Sequence, residues 1–100
     1  MTLHLSDYGF AITIIMVEEG VALDISTAST KQFVFKRPDG ITTTVTAVFT
    51  TTGTDGSLYY TVPTGFLNIV GQWKVQAIAT FAAAKYHSDI TTFTVTDNLV

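Results

Sequence analysis

The feature that most constrains this chain is a series of short segments in which apolar and polar residues alternate, separated by turn residues about every ten positions. Alternation with a period of two places successive side chains on opposite faces of a β-strand, so that one face can be buried. The separating sequences include Pro-Asp-Gly, Asp-Gly and Glu-Glu-Gly, which favour tight turns. The pattern therefore predicts an all-β protein. The predicted strands are residues 8–17, 31–37, 41–50, 57–62, 72–81 and 85–96.

The alternation also predicts which residues form the core. Residues 72–81 alternate most clearly, and they contain Trp73, the only tryptophan of the chain. We expect this large ring to anchor the interior, because aromatic side chains dominate the energetics of small cores. The predicted core residues are Phe33, Phe35, Val45, Trp73, Val75, Ala77, Phe93 and Val95.

Two of the predicted strands depart from simple alternation. Residues 8–17 are apolar on both faces, with Ile12 and Ile14 on one and Ile15 on the other. Such a strand is either central and covered twice, or it lies at an edge where a neighbouring subunit covers the second face. In residues 85–96 the apolar register changes after Ile90, which predicts a β-bulge or a kink near residues 91–92.

Length and strand number together predict the architecture. The chain has 100 residues and no cysteine, so a single domain must be stabilised by packing and sheet hydrogen bonds without disulfides or a zinc knuckle. We predict one immunoglobulin-like antiparallel β-sandwich of about seven strands over residues 1–100. Residues 1–7 would form an N-terminal arm and residues 97–100 a short tail. A small closed barrel is the alternative arrangement.

Composition excludes several classes of partner. Only 13% of the residues are charged and the net charge is −3, which argues against binding to nucleic acid or to an anionic membrane surface. The longest apolar run, residues 10–17, is much shorter than the roughly 20 residues that a transmembrane helix needs. The amino terminus lacks the basic and apolar regions of a secretory signal, so we expect synthesis in the cytoplasm.

Residues with chemical potential are few and poorly arranged for catalysis. His4 and His87 are the only histidines, and a metal site would require them to be joined by carboxylates such as Asp89. Ser88 is adjacent to His87 in sequence, but adjacency does not supply the geometry of a hydrolase triad. Asp39 and the other aspartates at predicted turns suit local hydrogen bonds. We therefore predict no catalytic, metal-binding or cofactor-binding residues and no enzymatic activity.

Several stretches resemble a known family. They are FVFKRPDG at 33–40, GSLYY at 56–60, GQWKVQA at 71–77, YHSD at 86–89 and FTV at 93–95. Together they resemble the immunoglobulin-like domain at the amino terminus of tailed-phage baseplate upper proteins, and also small stand-alone phage virion proteins. The resemblance implies a virion component that docks on other phage proteins. Because the 100 residues contain no shoulder, coiled coil or receptor-binding head, we expect a connecting or covering role.

These observations lead to an expected function and two alternatives. We expect a non-enzymatic structural protein of a tailed bacteriophage, present in the virion in multiple symmetric copies and docked in the tail or baseplate through other virion proteins. One alternative is a capsid decoration or head-tail joining protein. The other is an adhesion module that binds host-surface carbohydrate on an aromatic platform comprising Tyr59, Tyr60, Phe66 and Tyr86.

The residues expected to contact partners lie mainly in two segments that precede or interrupt the sandwich pattern. These are the amino-terminal segment and the acidic turn after the first long strand, and two tyrosines are added because tyrosine is enriched where proteins meet. An apolar strand flanked by such segments can be completed by a neighbour's edge. The predicted partner-binding residues are Thr2, Leu3, His4, Leu5, Tyr8, Phe10, Glu18, Glu19, Val21, Tyr59 and Tyr86.

Overall fold

The computed structural model describes residues 2–97, which form eleven β-strands and contain no helix. Several predicted strands are divided in two, so the strand number exceeds the expected seven. The strands are β1 (Thr2–His4), β2 (Ala11–Ile15), β3 (Val17–Glu18), β4 (Val21–Ala22), β5 (Thr30–Lys36), β6 (Thr42–Thr46), β7 (Val48–Phe49), β8 (Ser57–Thr61), β9 (Gly71–Thr80), β10 (Lys85–His87) and β11 (Thr91–Thr96).

The strands form two sheets and one separate hairpin. The larger sheet has the order β1-β11-β9-β5-β6, with β10 also paired to β9, and the smaller sheet has the order β2-β8-β7. Strands β3 and β4 pair only with each other. The order β2-β8-β7 and the order β11-β9-β5 are those of an immunoglobulin-like sandwich, and β1, β6 and β10 are added to the larger sheet. The predicted fold class is confirmed, except that β1 pairs with β11 in parallel, so the sandwich is not wholly antiparallel.

The chain crosses between the sheets within the predicted strand 41–50. Strand β6 pairs with β5 in the larger sheet, whereas β7 pairs with β8 in the smaller one. Ala47 lies between them, is buried, and donates its N–H to the carbonyl of Lys31 at 2.9 Å. A small side chain at this corner lets the backbone change sheets without displacing the core.

The core lies between the two sheets and matches the prediction closely. Val45 alone among the predicted core residues is only partly buried, although it packs against the cluster. The smaller sheet supplies Ile12, Ile14 and Leu58 from the opposite side. The predicted core residues that are fully buried are Phe33, Phe35, Trp73, Val75, Ala77, Phe93 and Val95.

An aromatic cluster occupies the centre of this core. The ring of Trp73 stacks on Phe93 with centroids 5.8 Å apart and lies 5.9 Å from Phe66. Its indole N–H donates to the carbonyl of Ile69 at 3.0 Å, so the only polar atom of the ring is satisfied. Phe35 contacts both Phe66 and Phe93 edge-on. Trp73 therefore joins the larger sheet to the connection that precedes it.

The predicted bulge is present, but it lies at residues 88–90 instead of residues 91–92. Strands β10 and β11 pair with the same strand, β9, on either side of it. Ser88 holds the interruption together, because its N–H donates to the carbonyl of Ala77 at 2.9 Å and its Oγ accepts the N–H of Ala77 at 2.8 Å. A hydroxyl thus replaces the missing ladder bond.

We expect Ser88→Ala to lower the free energy of unfolding by about 1–3 kcal/mol, because the buried N–H of Ala77 loses its acceptor. The midpoint of urea unfolding measures this change. Thr92→Ala is the matched control, since Thr92 is an exposed residue of the following strand and should change stability by no more than about 0.5 kcal/mol. Equal midpoints for the two variants would contradict the bridging role of Ser88.

The predicted N-terminal arm is corrected by the structure. Residues 2–4 form β1 at the edge of the larger sheet, and the N–H of Leu5 continues the pairing by donating to the carbonyl of Thr96 at 2.9 Å. Leu3 and Leu5 pack against the core. Their alternation gave too short a pattern to indicate a strand. Of the predicted tail only Asp97 is described, and residues 98–100, like Met1, lie outside the described residues.

Candidate protein-docking surface

Strand β2 lies at an edge of the smaller sheet, where it pairs with β8 on one side only. It covers residues 11–15, so the predicted strand 8–17 was too long at both ends. Ile12 and Ile14 face the core, whereas Ala11, Thr13 and Ile15 are exposed. Of the two arrangements that the apolar pattern left open, the structure has the edge arrangement.

The hydrogen bonds around β2 show which backbone groups face this edge. The N–H of Val62 donates to the carbonyl of Phe10 at 2.9 Å just before β2, and the N–H of Met16 donates to the carbonyl of Gly56 at 2.8 Å just after it. Because bonded and non-bonded positions alternate in an antiparallel pair, the even-numbered residues of β2 bond to β8. The remaining N–H and C=O groups form what we call the open β2 edge. They belong to Ala11, Thr13 and Ile15.

The outer face of the smaller sheet carries no charge. We call it the small-sheet face. In its middle row Thr13 lies beside Tyr59, which lies beside Val48. Proteins usually protect sheet edges with lysine, proline or bulges, and β2 has none of these. The combination of an unprotected edge and an uncharged face is typical of a surface that another chain covers. The small-sheet face comprises Ala11, Thr13, Ile15, Val48, Tyr59 and Thr61.

A groove of about 310 Å³ runs between the open β2 edge and the bulge of the larger sheet. Thr13, Ile15 and Val17 line one side, and the other is lined by Ser88, Asp89 and Thr91. Asp89 is exposed at this groove and takes no part in the one ion pair among the described residues. The groove therefore offers an extended chain backbone partners on one wall and a negative charge on the other.

Strands β3 and β4 form a short projecting ribbon, which we call the acidic hairpin (residues 17–22). Its turn residues Glu19 and Gly20 have φ of 51° and 81°, the positive values that a tight two-residue hairpin turn requires. Glu18 and Glu19 are exposed and belong to no ion pair of the described chain. Val17 and Val21 are 52% and 68% exposed. The predicted acidic turn is thus confirmed.

The base of the acidic hairpin is fixed by a close backbone approach. Leu23 donates its N–H to the carbonyl of Met16 at 2.9 Å and closes the ribbon. Gly56 has φ of +73°, and a Cβ added there would lie 2.5 Å from the carbonyl oxygen of Met16. Only glycine fits this contact. The hairpin therefore projects from a defined position.

The predicted partner-binding residues do not form one surface. Leu3, Leu5 and Phe10 turn part of their surface toward the core, whereas Tyr8 is 62% exposed. His4 places its Nδ1 3.1 Å from the hydroxyl of a neighbouring threonine and lies beside Leu3 on β1. Glu18, Glu19 and Val21 do come together, on the acidic hairpin.

The aromatic platform of the carbohydrate-binding alternative is not formed. Tyr60 faces inward with its ring centroid 5.6 Å from that of Phe66, and burial raises the pKa of its phenol. Tyr86 packs edge-on against Phe81 at 5.8 Å. Tyr59 lies on the outer side of the smaller sheet. Because alternation along β8 sends Tyr59 and Tyr60 to opposite faces, these rings cannot present one flat surface to a sugar.

The titratable groups have mainly local roles. Asp24 accepts hydrogen bonds from the backbone N–H of Ser26 at 3.0 Å and from its hydroxyl at 2.7 Å, and these bonds hold the pKa of the carboxyl below its usual value. The carboxylates of Asp39 and Asp55 also accept backbone N–H groups two residues ahead, so the predicted turn-forming role is confirmed. Within residues 2–97 no three metal-ligating side chains gather at one point.

The groove beside Asp89 was not predictable from the sequence, because the groove depends on where the bulge lies. The lack of charge in residues 11–15 and 57–61 was the available signal for the small-sheet face.

The described residues form no helix that is long and apolar enough to cross a membrane. Neither a scan against known protein families nor a search of curated proteins finds a match to this chain.

Proposed function

We propose that this chain is a non-enzymatic structural protein of a tailed-phage virion that docks on other virion proteins in the tail or baseplate. The open β2 edge is the observation that supports docking, because its outward backbone groups pair with no other strand of residues 2–97 and are a template for an added strand. The assignment to a phage rests on the sequence resemblance. Multiple copies in a symmetric assembly are part of the same proposal.

The geometry favours an extended strand of a neighbouring virion protein as the occupant of the open β2 edge. A strand added beside β2 would pair with the outward groups of Ala11, Thr13 and Ile15 and would form about six backbone hydrogen bonds. Residues of that strand on the small-sheet face would be uncharged, to match the face. A lysine or arginine would face Asp89 across the groove. The partner is therefore a β-strand with apolar alternation and a basic residue.

Cross-linking of purified particles of the encoding phage tests the proposed location. Mass spectrometry should find the chain in multiple copies per particle, with amine cross-links from Lys31, Lys74 or Lys85 to tail or baseplate proteins. Cross-links only to capsid proteins would instead support a decoration or head-tail joining role. Absence of the chain from particles in infections that express it would contradict the virion assignment.

A further inference from the structure

Four lysines and no carboxylate lie in the strands of the larger sheet. Two of the lysines, Lys36 and Lys74, are direct cross-strand partners on its outer face. Thr42 and Thr92 extend this row on either side. Like charges at directly opposite positions of a sheet destabilise it, and the one ion pair of the described chain, between two other residues, does not relieve this repulsion. The row is therefore a place where an anionic partner would be stabilising.

A small groove adjoins the two lysines. It has a volume of about 160 Å³ and has mainly apolar walls, which include Val34 and Ile90. Ile90 is 60% exposed although it is a large aliphatic residue. We call this site the lysine groove: Val34, Lys36, Thr42, Lys74, Gln76 and Ile90. Its chemistry combines two cations with aliphatic surface, so it fits a segment with carboxylates beside aliphatic side chains.

The acidic hairpin has the complementary combination. Glu18 and Glu19 supply two carboxylates without an ion pair in the described chain, and Val17 and Val21 supply exposed aliphatic surface on the same ribbon. A groove of about 160 Å³ has room for one aliphatic side chain such as that of Val21, with the hairpin lying across the groove. The same molecule thus carries both halves of a possible contact.

The acidic hairpin lies near the start of β5, whereas the two lysines of the groove lie near its end. Leu23, next to the hairpin, shares a surface groove with Phe81, and Phe81 follows the residue that pairs with Thr30 at the start of β5. Lys36 is at the other end of β5, about 20 Å away at a rise of about 3.3 Å per residue. Among the described residues, no hydrogen bond or ion pair joins the acidic hairpin to the lysine groove of its own chain.

We infer that the acidic hairpin of one copy binds the lysine groove of a second copy, head to tail. The contact joins two different surfaces, so repetition builds a closed ring or a filament. This inference shares with the proposed function only the idea that the domain acts by binding to other protein chains. Its residues are separate from the open β2 edge, and its partner is this chain itself.

Sedimentation of the purified chain tests the inference by charge exchange. We expect the average mass of the wild-type protein to rise with concentration at low salt and to fall toward the monomer mass as salt is added. Lys36→Glu/Lys74→Glu and Glu18→Lys/Glu19→Lys should each weaken self-association at least about 100-fold, because like charges then meet. An equimolar mixture of the two double variants should associate again, since each supplies the charge that the other needs.

Lys85→Glu is the matched control, because Lys85 is an exposed lysine of the same sheet outside the lysine groove. At a salt concentration that screens the repulsion from its more negative net charge, Lys85→Glu should self-associate as strongly as the wild-type protein. All substituted positions are exposed, and circular dichroism verifies that each variant is folded. A wild-type chain that stays monomeric at low salt, a Lys85→Glu variant weakened as much as the double variants, or a mixture that remains monomeric would each overturn the inference. The experiment uses only the purified chain and no phage particle. A negative result would therefore contradict self-association without testing the virion assignment.

Discussion

Trp73→Ala is expected to lower the free energy of unfolding by about 3–5 kcal/mol, a large part of the stability of a domain of this size. Trp73 is 1% exposed, and removing its ring takes contacts from Phe66 and Phe93 at the centre of the core. Such truncations cost about 3–5 kcal/mol, against a total stability of about 5–15 kcal/mol for typical domains. The carbonyl of Ile69 also loses its donor. Urea titration followed by far-ultraviolet circular dichroism measures the loss without relying on tryptophan fluorescence.

Two variants make the result specific to core packing. Trp73→Phe keeps a ring in the stack but removes the hydrogen bond to Ile69, so it should retain most of the stability that alanine loses. Tyr8→Ala removes a large ring that is 62% exposed and should be nearly neutral. A Trp73→Ala protein with the unfolding midpoint of Tyr8→Ala would show that the core does not depend on this ring.

Thr13→Pro is expected to abolish docking while leaving the isolated domain folded. The N–H of Thr13 points away from β8, so proline removes no hydrogen bond of the sandwich. In a complex, the ring would occupy the position of a partner carbonyl and interrupt the added strand at its middle. We expect an affinity at least about 100-fold lower, equivalent to roughly 2.7 kcal/mol. Incorporation of purified variants into particles assembled without the chain measures this effect.

Thr44→Pro is the matched control, because Thr44 lies in β6 at an open edge of the larger sheet. Arg37 donates its N–H to Ile41, and Ala47 donates to Lys31, so the odd-numbered positions of β6 bond to β5 and Thr44 faces outward. The same substitution there should carry the same cost to the free domain and leave incorporation unchanged. Equal incorporation of the two proline variants would argue against docking through β2.

The strands and most of the core follow from local sequence. The alternation over residues 72–81 is enough to predict that the face carrying Trp73 is buried. A shift of the strand register by one residue would expose all the apolar side chains of that face. The turn at residues 38–40 was also predictable, because proline and aspartate followed by glycine favour a tight turn. In the structure Gly40 has the positive φ, 90°, that such a turn uses. These features depend on neighbours within a few positions.

Features set by distant parts of the chain were not predictable in the same way. The passage between sheets at Ala47 and the parallel pairing of β1 each depend on which strand lies alongside. Leu67 is fully buried in an irregular connection, where no periodicity marks it. For nearby Phe66 the sequence left core packing and an exposed platform open, and the structure packs it between Phe35 and Trp73.

In the candidate docking surface, too, local features were predictable from the sequence and features set by the whole fold were not. The sequence showed that residues 8–17 had two apolar faces, and it left a central position and an edge position equally open. Sheet order decides between them, and sheet order is a property of the whole fold. The turn of the acidic hairpin was predictable because its signal, Glu-Glu-Gly, is local, whereas the pairing of β3 with β4 was not predicted.

Residue-resolved amide hydrogen exchange, in the free chain and in the assembled particle, tests docking at the open β2 edge most directly. In the free chain the amides of Ala11, Thr13 and Ile15 should exchange rapidly, whereas those of Ile12 and Ile14 should be protected by β8. In the particle all five should be protected. Rapid exchange of the three outward amides in the particle would contradict docking at this edge.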